Sequence, residues 1–154
     1  VRGTVADLTV TLRSMVADSP SIPAWNAALA LSLVRTDPVE AAHYACVALE
    51  NTVDDFVWLA GNVIGGRAAA AASDHVDRAV LEVYCEHLAP YAGTCCWQGT
   101  CSYGPVDTTL ALLTRALGDD VAAVRHADSA RQLATLLMSP AFLIDIDNVL
   151  PGVL

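Results

Sequence analysis

Lysine is missing from this 154-residue chain, and every basic side chain is arginine. That absence removes a Walker A phosphate loop, a Schiff-base lysine and an SxxK nucleophile pair together. Charge is scarce as well: 16% of residues are charged, against 55% hydrophobic, a balance that weighs against disorder. The net charge of −9 and pI near 4.5 argue against nucleic acid or an anionic membrane as a direct partner. No GxSxG elbow is present to support a Ser/His/Asp triad. Apolar–polar alternation of period two is nearly absent, which leaves little room for sheet. Val1-Arg2-Gly3-Thr4 shows no charged leader running into an apolar stretch, so no signal peptide is expected. The opening at Val1 and the end at Gly152-Val153-Leu154 also fit a piece of a longer polypeptide. The charge-free stretch from Ser19 to Val34 carries Pro20, Pro23 and Asn26 and is too short to span a bilayer. Five cysteines, an odd number irregularly spaced, suit reduced thiols in a cytoplasmic protein.

What is abundant is apolar spacing of three and four. Val5, Leu8, Leu12 and Val16 form one stripe, and Ile22, Trp25, Leu29 and Leu33 a second. Phe56, Leu59 and Val63 begin a third, and Val106, Leu110, Leu113 and Leu117 a fourth. Helix starts are marked at Asp37-Pro38-Val39-Glu40, Ser73-Asp74, Gly104-Pro105 and Ser139-Pro140. Gly118 before Asp119-Asp120 marks a stop and a new start. The signals predict helices near 4–17, 22–35, 38–51, 55–71, 75–89, 105–117, 120–137 and 140–149. The fold class is therefore all-α.

Repetition appears in the alanines. Ala41, Ala45 and Ala48 share their spacing with Ala123, Ala127 and Ala130, about eighty residues on, or two units of about forty. Ala79 sits near the midpoint in a degenerate middle unit. Small residues so placed let antiparallel helices nest. The expectation is a tetratricopeptide-like antiparallel helical-pair repeat, an α-solenoid of about three pairs, filling residues 1–154 as one domain. Residues 90–104, rich in glycine, cysteine and aromatics, break the rhythm and read as an ordered loop.

Pro90-Tyr91-Ala92-Gly93, Tyr103-Gly104-Pro105-Val106, Leu117-Gly118-Asp119 and Ala123-Val124-Arg125-His126-Ala127 carry a resemblance. The chain resembles the carboxy-terminal tetratricopeptide-like region of large multidomain regulators with a STAND-type ATPase. These include LuxR-type transcriptional regulators, AfsR-like activators and adenylate cyclase–ATPase fusions. The likeness spans roughly residues 20–137 and is most specific between 88 and 130. It implies the role of an arm, which senses a protein or small-molecule signal and passes it to partner domains. The nucleotide loop, helix-turn-helix and cyclase metal pattern of such proteins have no counterpart in this sequence. Cys95, Cys96 and Cys101 depart from the family's usual loop.

Cys85, His87, Cys95, Cys96 and Cys101 are metal-ligand types close together, but they lack the paired CxxC of a strong zinc site. A thiol-based redox or metal-binding sensor on Cys85, Cys95, Cys96 and Cys101 is the alternative to inert thiols, although no arginine lies between Arg78 and Arg115 to lower a thiol pKa. His43, His75, His87 and His126 share no catalytic pattern. Asp54-Asp55 and Asp119-Asp120 read as helix starts, and Asp145 and Asp147 as a solvated face or terminal turn. Gly65-Gly66 reads as a bend or a close helix contact, and Trp25 and Trp58 as core. Trp97, with Tyr91 and Tyr103, either lines a groove or pins its loop, with pinning preferred. The resulting expectation is a non-enzymatic interaction or sensor module without a cofactor. Its candidate contacts are Arg67, Tyr91, Trp97, Tyr103 and Arg115, its partner is a protein or small-molecule signal, and its assembly is a homodimer.

Overall fold

A computed structural model describes residues 5–51, 55–99 and 101–150. They form eight α-helices and one two-stranded sheet. In chain order the helices are α1 (Thr9–Asp18), α2 (Pro23–Leu33), α3 (Pro38–Glu50), α4 (Trp58–Ala71), α5 (Arg78–Leu88), α6 (Val106–Ala116), α7 (Asp120–Leu136) and α8 (Pro140–Val149). Between α5 and α6 lie β1 (Cys95–Gln98) and β2 (Cys101–Pro105).

Boundaries follow the chemistry of free amide groups. The Asp37 carboxylate accepts from the Glu40 N–H at 2.9 Å with Pro38 at the first position of α3. Asp119 does the same for Ala122 at 2.9 Å, directly after Gly118 ends α6 at φ +82°. Asp55 accepts from Val57 in the turn before α4, whereas Asp54 lies outside the described residues. Three expected starts shift. Ser73–His75 is a 3-10 turn, and α5 begins only at Arg78. Val5–Leu8 is likewise a 3-10 turn ahead of α1, and α4 begins at Trp58, leaving Phe56 exposed.

The helices pack in a regular order. α3 folds back on α2, α5 on α4 and α7 on α6, while α4 packs on both α2 and α6. α1 lies on α2, and α8 lies on α7. The predicted alanine seams are real: Ala41, Ala45, Ala48, Ala123, Ala127 and Ala130 are all buried. The middle pair inverts the rule, because Ala79 is exposed. There the small residues are Gly65 and Gly66 on α4, and the large ones are Leu81, Tyr84 and Leu88 on α5. A Cβ on Gly65 would meet the Tyr84 hydroxyl at 2.4 Å, and one on Gly66 would meet Thr109 at 3.1 Å. Tyr84 donates across to the Ala45 carbonyl at 2.7 Å and so ties α5 to α3.

The segment 90–104 departs from the all-α expectation. It opens with a 3-10 turn, Ala89–Tyr91, and continues as an antiparallel hairpin with Cys95 opposite Pro105 and Gln98 opposite Cys101. A register shift between Cys96 and Trp97 drops Cys96 into the main core and turns Trp97 outward, 66% exposed. The bulge removes the alternation that would have marked a strand.

A groove holding a half-buried arginine

The pairing order leaves a groove on the side of α2 and α4. It is lined by Trp25 and Leu31 of α2, by Val63, Ile64 and Arg67 of α4, and by Leu8 and Leu12. Ser102 and Tyr103 of β2 and Phe142 and Asp145 of α8 complete the lining. Its volume is about 570 Å³, within the ordinary range of small-molecule sites. Spacing explains the lining: Ala28 and Leu31 follow Trp25 on one face of α2, and Asp145 stands four residues after Ala141 on α8.

One charged pair interrupts the apolar wall. A terminal nitrogen of Arg67 donates to Asp145 Oδ2. The Arg67 side chain is 16% exposed and that of Asp145 is 39% exposed. The Arg67 Nε is buried with no hydrogen-bond partner. The neighbouring hydroxyls are committed within the hairpin. Ser102 donates to the Cys96 carbonyl at 3.1 Å, and the Tyr103 hydroxyl donates to Gln98 Oε1 at 3.4 Å. Burial raises the Tyr103 pKa above the usual phenol value.

Of the five expected contacts, Arg67 and Tyr103 meet in this groove. Tyr91 lies elsewhere, its ring 5.7 Å from that of Trp58. Trp58 also packs on His87, whose Nδ1 lies 2.8 Å from Asn62 Oδ1. Trp97 projects from the hairpin away from the groove lining, and Arg115 is exposed in the last turn of α6. Trp25, Phe142 and Asp145 are contributors the candidate set did not include. Trp25, expected in the core, is half-buried: it packs against the Leu12–Leu29–Leu33 cluster and also faces the groove. Asp145 and Asp147 form ion pairs, to Arg67 and Arg131 respectively.

The cysteines do not assemble. Among the described residues no three His, Cys, Asp or Glu side chains are grouped to hold a metal ion. Burial pushes the Cys96 thiol up to about 11, the Cys95 thiol adds to the rise, and the nearby Arg67 only partly opposes it. Cys85 is pushed up to about 11 by burial and then by Glu82 and Glu86, and burial also raises Cys46. Protonated thiols of this kind are poor nucleophiles and poor ligands at neutral pH.

A second polar node is structural. Asp107, 2% exposed in the first turn of α6, accepts from the Gly93 N–H and lies 2.7 Å from His126 Nδ1 on α7. It therefore fastens the turn at Pro90–Gly93 to two helices. No described helix is long and apolar enough to cross a membrane. Comparison with protein-family models, curated proteins and solved structures finds no match to this chain.

Proposed function

We propose that this chain is a non-catalytic, tetratricopeptide-like sensing module built on the pairs α2/α3, α4/α5 and α6/α7. Its role is that of the arm of a STAND-type signalling or transcriptional regulator, acting in the cytoplasm on a protein or small-molecule signal. The groove is the observation that carries this reading. It lies against α2 and α4, the first helices of two successive pairs, and its wall is apolar apart from a few polar side chains. The burial that holds the Cys85 and Cys96 thiols protonated supports shape recognition over chemistry at those two thiols. The homodimer of this reading would cover the outer helices, where Val10 on α1 and Ile144 on α8 are exposed.

The test is a titration with a neutral apolar fluorophore, N-phenylnaphthylamine. The wild-type chain binds it with enhanced emission, and Ala28→Trp, which fills the groove, keeps its helical circular dichroism but loses binding. Equal binding by both forms, or by neither, refutes the assignment. Light scattering at high micromolar concentration gives the dimer mass, and a strictly monomeric species removes that part.

A further inference from the structure

We propose that the groove binds a small amphipathic monocarboxylate, with Arg67 as its anchor and Asp145 as the resident carboxylate that the ligand displaces. This rests on the groove reading above and adds the chemistry of the occupant.

The argument starts from the geometry of the guanidinium. Arg67 presents a planar fork, and Asp145 reaches it from α8 at one terminal nitrogen only. The adjacent Nε–H stays buried and unpaired, an arrangement native interiors avoid. A carboxylate approaching side-on takes the Nε–H and a terminal N–H together, the bidentate geometry for which arginine is suited. Asp145 is already 39% exposed, so its carboxylate can turn back to water without moving α8. α8 keeps its other anchors, with Ile146 and Leu150 buried against α7 and Phe142 packed at Gly104.

The rest of the wall selects the ligand's body. Leu12, Trp25, Val63 and Phe142 offer hydrocarbon and ring surface, and the Ser102 and Tyr103 hydroxyls are engaged within the hairpin. A peptide main chain laid here would leave its own N–H and C=O groups without partners, whereas an alkyl or aryl chain loses nothing. A cationic ligand would have to share Asp145 with a guanidinium already on it. One anionic head and one apolar body are what the surfaces complement.

The experiment displaces N-phenylnaphthylamine from the full chain with decanoate, decanol and decylamine, all below their micellar concentrations. Decanoate is expected to compete about tenfold or more better than decanol, the ratio one charge-assisted contact supplies. Arg67→Met removes that preference, and Asp145→Asn tightens decanoate while leaving decanol unchanged. If the fluorophore binds but decanoate is no better than decanol, or decylamine is best, the carboxylate site is refuted and the groove survives. A short apolar peptide with a free carboxy-terminus that outcompetes decanoate refutes the small-molecule assignment. Failure of the fluorophore itself refutes both readings. Should Arg67→Met not fold, decanoate affinity unaltered by Asp145→Asn overturns the proposal.

Discussion

Gly65→Ala is expected to destabilise the protein although alanine is the better helix former. Removing a glycine from a helix interior ordinarily gains about 1 kcal/mol. At Gly65 the new methyl would stand 2.4 Å from the Tyr84 hydroxyl and 3.0 Å from its ring carbon Cζ. Tyr84 is 1% exposed and its hydroxyl is held by the Ala45 carbonyl at 2.7 Å, so the ring has nowhere to swing. Overpacking of this kind costs about 1–3 kcal/mol, and breaking a buried phenol bond costs about 1–3 more. With the propensity gain subtracted, the net loss is about 1–5 kcal/mol, and each kcal/mol lowers the melting temperature by about 2–4 °C for a chain this long. Gly61→Ala, three residues into the same helix and with nothing within 4 Å, is the control and should gain about 0.5–1 kcal/mol. Tyr84→Phe in the Gly65→Ala background removes the closest atom and should recover part of the loss. Urea unfolding followed by circular dichroism yields all four corners of that double-mutant cycle. A Gly65→Ala protein as stable as the wild type, or a cycle additive to within about 0.5 kcal/mol, would refute the close packing of α4 on α5.

Asp107→Ala should cost about 3 kcal/mol, because it strands the Gly93 amide and the His126 ring, and it should speed hydrogen exchange at Gly93. Asp37→Ala and Asp119→Ala each remove a helix cap and should each cost about 1 kcal/mol in urea titrations. The thiols of Cys85 and Cys96 fix the sign of an alkaline effect. Their folded values near 11 lie above the ordinary 9.0, so their contribution is complete below pH 9 and lost as pH rises through 11. The urea midpoint should therefore fall across that window and fall less in Cys85→Ala/Cys96→Ala; a flat profile contradicts their burial. Met138→Gly relieves a residue at φ 49° between α7 and α8 and should gain about 1 kcal/mol by the same titration.

Helix edges were legible because their signals are local. Asp37-Pro38, Gly118-Asp119 and Pro140 act within one turn, and α3, α7 and α8 begin where those residues place them. Ser73-Asp74 misled because the same residues also suit a 3-10 turn, leaving α5 to start at Arg78. The hairpin escaped notice because its bulge at Cys96 erases the two-residue rhythm a strand needs to be recognised. The double glycine announced a close contact, but nothing local named Tyr84 as the partner. The groove was half visible. Arg67 is among the candidate contacts, while Asp145, its counter-ion, comes from a different helix 78 positions away. Trp25 sits on an apolar stripe that the core and the groove share, and periodicity cannot tell the two faces apart.

Leu8 and Leu12 line the same cavity as Phe142 and Asp145, so opposite ends of the described chain contribute to one groove. During synthesis the inner pairs can therefore dock while the binding surface does not yet exist. Its completion waits on the arrival of α8, whose Asp145 pairs with Arg67, 78 positions earlier, and closing so long a loop carries a large entropy cost. Recognition competence is thus a certificate of finished assembly: a chain stalled before its eighth helix would be helical, yet deaf.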